Sequence, residues 1–132
     1  MVIFRTSKET LSKVVANCKH ALEVRPAKLN FGDIILIAQT IDSLDCGKKP
    51  IRYRMEFVNC YEDREGLSER IWGRRWKYII EGKNCCELNK PFDIRKIPHL
   101  NTKKYERGGP IVYVDPDDIK KLEDLGYLEV KS

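Results

Sequence analysis

Apolar and polar positions recur with two different periods along this chain, and each period predicts an element. Residues 2–5, VIFR, read as a short strand. Thr6-Ser7-Lys8-Glu9 then fits a capping box, with the threonine hydroxyl accepting from the Glu9 amide and the glutamate reaching back. Behind it Leu11, Val14, Val15, Cys18 and Leu22 recur at helical spacing, predicting one amphipathic helix to about residue 22, with Pro26 forbidding continuation. After a turn at Asn30-Phe31-Gly32-Asp33, the apolar run from Ile34 to Thr40 suits a strand buried on both faces. Asp42 to Pro50 reads as a polar loop between strands. From Ile51 to Val58 the period changes to two: Ile51, Tyr53, Met55 and Phe57 face one way, Arg52, Arg54 and Glu56 the other.

The second half is more broken. Tyr61 to Glu69 is charged and contains Gly66, which predicts an exposed loop. Trp76 to Ile80 reads as a strand closed by Gly82-Lys83-Asn84, and Cys85–Leu88 and Phe92–Ile97 as short apolar pieces around Pro91. Residues 98–110 are polar and basic, predicting a second exposed loop that ends in Gly108-Gly109-Pro110. Ile111–Val114 is a four-residue strand. Asp115-Pro116-Asp117-Asp118 starts a helix with a cap, a proline at the first helical position and acids near the positive dipole end. That helix should turn Ile119, Leu122 and Leu125 inward and stop at Gly126, with Tyr127–Val130 adding a final strand. The sum is five or six strands with two main helices: an α+β protein built on a small curved sheet or pseudo-barrel.

Length and composition narrow this further. The 132 residues suit one domain and one compact body, 1–132, and 34% charged residues suit a well-charged surface. A net charge of +5 favours an acidic partner, though weakly enough that its distribution matters more than its sum. Arg70, Arg74, Arg75 and Lys77 form one cluster and Lys103, Lys104 and Arg107 a second, while Asp115, Asp117, Asp118, Glu123 and Asp124 gather near the C-terminus. The five cysteines, Cys18, Cys46, Cys60, Cys85 and Cys86, are odd in number and follow no signal peptide, so they read as reduced thiols of a cytoplasmic protein. His20 and His99 stand at no zinc-like spacing from them, so no metal is expected. No apolar run reaches the roughly 18 residues of a membrane helix.

The candidate chemistry lies in residues 70–82, RIWGRRWKYIIEG, which hold both tryptophans among arginines and a lysine. Aromatics mixed with cations suit a surface that meets something flat and anionic, and nucleic acid fits. Trp72, beside Gly73, either projects toward a ligand or lids the core; Trp76, alternating with Tyr78 and Ile80, has the same two readings, as does Tyr53. Ser7 at the strand-to-helix junction is a base-edge donor or a cap. Arg74 and Arg75 are placed to fork onto phosphate oxygens, with Arg70, Lys77, Lys103, Lys104 and Arg107 as further backbone contacts. Catalysis would need a nucleophile and a base. Cys85-Cys86 with His99, or Cys60 with Glu62, supplies such groups, but no motif orders them, and there is no Gly-rich phosphate loop or paired carboxylate. A binding protein without cofactor is the expectation.

The order of these elements resembles the PUA-like superfamily over most of residues 1–130, with the EVE and YTH domains as its most similar branches. Phe31-Gly32-Asp33 is similar to the Pro-Gly-Asp turn common before the second strand of EVE proteins. Trp72-Gly73-Arg74-Arg75-Trp76-Lys77-Tyr78-Ile79-Ile80 resembles the tryptophan-rich stretch that runs into a strand in YTH domains. The resemblance implies a pseudo-barrel whose mouth captures a modified or flipped base of RNA or DNA, stacked on Trp72, Trp76, Tyr78 or Tyr53 with Ser7 at its edge. Two alternatives stand beside it: a protein-interaction module using the Trp/Arg patch, and a hydrolase of modified nucleosides like some members of the related ASCH branch.

Overall fold

The computed structural model describes residues 1–40, 49–107 and 109–131; Cys46, Gly108 and the polar loop expected from Asp42, apart from Lys49 and Pro50, lie outside them. The chain runs β1 (Val2–Thr6), α1 (Lys8–Asn17), β2 (Lys19–Leu22), β3 (Ile34–Gln39), β4 (Ile51–Glu62), α2 (Leu67–Trp72) and β5 (Tyr78–Phe92). A 3-10 turn (Ile94–Lys96), α3 (Lys103–Glu106), β6 (Ile111–Tyr113) and α4 (Pro116–Asp124) complete it. Six strands form one curled mixed sheet in the order β2-β5-β4-β3-β1-β6. β1 and β3 are parallel, Val2 beside Ile35 and Thr6 beside Gln39; every other pairing is antiparallel. The α+β expectation therefore holds, with α1 and α4 as the two longer helices.

Alternation along β1 explains why both faces of the sheet are covered. Val2 and Phe4 join Leu11, Val14, Ile35, Ile37, Met55 and Ile80 under α1, while Ile3 joins Leu36, Ile51, Leu88, Phe92 and Leu122 under α4. Successive side chains of a strand point to opposite faces, so one apolar run serves two cores. Pairing irregularities in β4 against β5, at Ile51/Tyr53, Arg54/Glu56 and Phe57/Asn59, bend both strands and curl the sheet. The curl brings the two edges together without a ladder: beyond β2, the Ala27 amide donates to the Tyr113 hydroxyl of β6 at 2.9 Å.

Gly82 sits in β5 opposite Phe57, beside one of the irregular steps of the β4–β5 pairing. A Cβ there would meet Met55 Sδ at 2.5 Å and the Glu56 carbonyl at 3.3 Å, and Met55 is fully buried. Gly82→Ala should therefore destabilise the fold by about 1–3 kcal/mol in urea unfolding, the range for an overpacked core. An unchanged midpoint would show that Met55 has room to move.

Several elements differ from the sequence expectation. The helix expected to reach residue 22 ends at Asn17, because Cys18 adopts a left-handed conformation (φ 52°) and its amide closes on the Val14 carbonyl. Lys19–Leu22 then pairs with β5 as an edge strand, so Leu22 is buried from a strand. The cap is Ser7, accepting from the Thr10 amide at 3.3 Å, and not Thr6, whose hydroxyl bonds that of Thr10. Residues 61–69 are not one loop: Tyr61 and Glu62 extend β4 and α2 begins at Leu67. Gly82-Lys83-Asn84 does not end a strand, and Cys85–Leu88 continues β5. The loop expected over 98–110 contains α3, whose Tyr105 is buried. Leu125 is exposed. The final strand is a single bridge, Leu88 to Val130, flanked by hydrogen bonds from Asn89 to Glu129 and from Lys131 to Glu87.

Candidate nucleic-acid interface

A cavity of about 420 Å³ opens where the curled sheet fails to close. One wall is the end of β1 and the start of α1, with Arg5, Thr6, Ser7 and Thr10; the opposite wall is β2 and the residues after it, from His20 to Val24. Trp72 and Trp76 complete it from α2 and the segment leading into β5, with Thr40 and Pro110 at its margins. Its volume is that of a small-molecule pocket, and its surfaces are mostly apolar with a few hydroxyls, the usual composition of such sites.

The segment from 63 to 77 forms an arm that holds both tryptophans, and one buried carboxylate organises it. Asp63 accepts from the Leu67 and Ser68 amides at 2.9 and 3.0 Å and from the Ser68 hydroxyl. It thereby caps α2, whose own N-cap is Gly66. Ser68 Oγ accepts from the Trp76 amide at 2.8 Å, and the Asp63 amide donates to the Lys77 carbonyl at 2.8 Å. The arm is stitched at both ends, with Gly73 supplying the left-handed turn (φ 76°) between the tryptophans. Burial alone would raise the Asp63 carboxyl; the hydrogen bonds from Ser68, Leu67 and Gly66 outweigh it and hold the group below its ordinary range.

The cavity floor includes His20, stacked on Phe4 with ring centroids 4.9 Å apart and planes 20° off parallel. Burial drives its pKa down to about 4, so the imidazole is neutral at pH 7 and offers a flat, uncharged face. The hydroxyls on the opposite wall are linked to one another: Thr10 Oγ1 bonds Thr6 Oγ1 and, at 2.9 Å, Ser7 Oγ. Arg5 borders the same wall. Its guanidinium donates to the Gly109 carbonyl at 2.9 Å and to the Tyr105 carbonyl, and lies 4.2 Å from the Tyr105 ring centroid. Arg5 thus fastens α3 and the 109–110 segment beside the cavity.

Of the residues singled out from sequence, Trp72, Trp76 and Ser7 converge on this cavity, whereas Tyr78 and Tyr53 do not. Tyr78 opens β5 outside it, with Arg25 and Lys77 over its ring at 5.1 and 5.6 Å. Tyr53 packs against the core that contains Met55 and Phe57. Trp76 precedes β5 and does not open it, and Trp72 ends α2.

The basic residues divide in the same way. Arg74 stacks on Trp76 at 4.0 Å and pairs with Glu23 at 3.1 Å. Arg75 donates to the carbonyls of Asp63 and Arg64. Arg70 is exposed at the end of α2, Lys103 and Arg107 are exposed on and beside α3, and Lys104 pairs with Asp115 at 2.9 Å. Arg5, Thr6, Thr10, His20 and Glu23 also border the cavity, and sequence reasoning does not single them out as site residues. Thr6 and Thr10 carry a usable signal, two hydroxyls four residues apart at a strand-to-helix junction.

No protein-family model and no curated protein matches this chain. Among the described residues no group of three or more His, Cys, Asp or Glu is arranged to hold a metal ion, and no helix is long and apolar enough to cross a membrane. Of the thiols weighed as nucleophiles, Cys85 and Cys60 are disfavoured as thiolates. Burial, with Cys18 beside it, pushes Cys85 up to about 12, and burial also raises Cys18 and Cys60.

Proposed function

We propose that this chain is a PUA-like nucleic-acid-binding domain that takes an unstacked, flipped or modified base into the cavity between β1 and β2. The observation that carries the reading is the convergence of Trp72, Trp76 and the Thr6–Thr10–Ser7 hydroxyl chain on one apolar cavity with Arg5 and Arg74 at its sides. A base removed from its stack needs new π-faces and a few polar groups at its edge, and each stacking partner contributes about 1–3 kcal/mol. Arg70, Arg74, Arg75, Lys77 and the basic residues of α3 supply phosphate contacts along the rim. The free cysteines, Cys18, Cys60, Cys85 and Cys86, support a cytoplasmic setting.

Titration with single-stranded oligonucleotides and a panel of modified nucleosides, followed by tryptophan emission, tests this. Trp72→Ala and Trp76→Ala should each weaken binding about ten-fold. Arg74→Ala with Arg75→Ala should weaken all sequences alike and lower the salt slope by about one unit for each phosphate no longer neutralised. Unchanged affinity in both tryptophan variants would remove the cavity from the function. Turnover of a nucleoside would move the assignment to a hydrolase, and a protein partner that survives nuclease treatment would move it to an interaction module.

A further inference from the structure

The lip of the cavity carries a charge arrangement that base stacking does not explain. The guanidinium carbon of Arg74 lies over the Trp76 ring, 4.0 Å from its centroid, so the aromatic face holds the charged head at the lip. One of those donors meets Glu23 Oε1 at 3.1 Å, the single hydrogen bond that joins the two side chains. The rest of the fork has no protein acceptor among the described residues, although a guanidinium presents five N–H groups in a geometry that matches two oxygens of a phosphate. Glu23 and Trp76 both line the cavity, so the ion pair stands where a strand entering with its base must bring its backbone.

The pair is also easy to exchange. The side chains of Arg74 and Glu23 are 63% and 51% exposed, and an ion pair this open to water holds its partners only weakly. A phosphate engaging two N–H groups offers Arg74 more than its one bond to Glu23, while the Glu23 carboxylate repels that phosphate until it moves away.

We propose that the lip is a phosphate subsite at which Arg74 exchanges Glu23 for a phosphate of the bound nucleotide, so that Glu23 sets the discrimination between phosphorylated and uncharged ligands. The inference rests on the base-binding reading and specifies how the same site senses the backbone beside the stacked base. Glu23 is a specificity residue here: it lowers affinity for every phosphate at the lip, and a ligand that also fills the cavity offsets the penalty.

The test compares a nucleoside with its 5′-monophosphate, and separately titrates inorganic phosphate, on the full chain as wild type, Glu23→Gln, Arg74→Ala and the double variant, with tryptophan emission as readout. Glu23→Gln should raise the monophosphate-to-nucleoside affinity ratio about five-fold, the scale of an exposed charge pair. Arg74→Ala should abolish the ratio, and the double variant should behave as Arg74→Ala does. A ratio unchanged or lowered in Glu23→Gln overturns the exchange. Inorganic phosphate should perturb emission at lower concentration in Glu23→Gln than in wild type and not at all in Arg74→Ala; equal midpoints overturn the exchange even if no base binds. The expected phosphate result without nucleoside or oligonucleotide binding would refute base capture and leave the exchange site standing.

Discussion

Replacing Asp63 by asparagine is expected to cost about 3 kcal/mol of stability and to release both tryptophans from the cavity, because hydrogen bonds to a buried charged group are each worth about 1.5–3 kcal/mol. Asp63 is an acceptor only, and the groups that bond it are donors: the Gly66, Leu67 and Ser68 amides and the Ser68 hydroxyl. An asparagine keeps the shape but turns an NH2 toward one of those donors. The uncapped α2 is six residues long, too short to persist without its cap. Its loss frees Ser68, and with it the hydrogen bond that holds the Trp76 amide. Urea unfolding followed by circular dichroism should show the lost stability, and native tryptophan emission should shift red as the rings meet water. Ser68→Ala should reproduce part of both changes. A native emission spectrum identical to wild type in Asp63→Asn would mean that the tryptophans are held by packing alone.

Acid should weaken the protein in two stages, and His20 governs the first. Its folded pKa of about 4 lies below the ordinary 6.5, so between these values the unfolded chain binds a proton that the folded chain refuses. The contribution of neutral His20 is complete above pH 6.5 and is lost as pH falls toward 4, at about 1.4 kcal/mol per pH unit, roughly 3 kcal/mol in all. His20→Phe keeps a flat ring against Phe4 and removes the proton site, so its stability should stay level across this window while wild type declines. Asp63 acts lower. Its carboxyl is held below the ordinary range, so its stabilisation is present above the ordinary carboxylate pKa and disappears as pH falls through the lowered folded value. Urea midpoints measured at half-unit pH steps in both proteins separate the stages. Parallel curves for wild type and His20→Phe would show that His20 is not what titrates.

Both predictions concern residues whose roles the sequence hides, and the reason is physical. Helical spacing puts His20 in the tail of a helix, because Cys18 and Leu22 continue the rhythm set by Leu11, Val14 and Val15. A short apolar segment satisfies either period. What settles it is the left-handed turn at Cys18 and the open edge of β5, where the Gly82 amide donates to the Cys18 carbonyl at 2.9 Å and begins the pairing. Asp63 stands in a stretch that reads as a charged loop, and nothing in its neighbours distinguishes a buried carboxylate from a solvated one.

The strands β1, β3 and β4, the start of α4 at Pro116 and the stop at Gly126 are legible because each depends on local period or on residues with fixed backbone preferences, although the Asp115 carboxylate pairs with Lys104 and makes no side-chain cap. So is the association of tryptophan with arginine in residues 70–76, which is a matter of composition. Only the tertiary structure decides which aromatics meet. Trp72, Trp76 and Ser7 come from segments more than sixty residues apart and converge because the curled sheet sets β1 against β2, whereas Tyr53 and Tyr78, equally plausible by residue type, fall to the core and to the half-buried start of β5 outside the cavity. Side-chain chemistry is written in the chain, but the partner of each side chain is fixed by strand order and curl, which depend on contacts between distant residues.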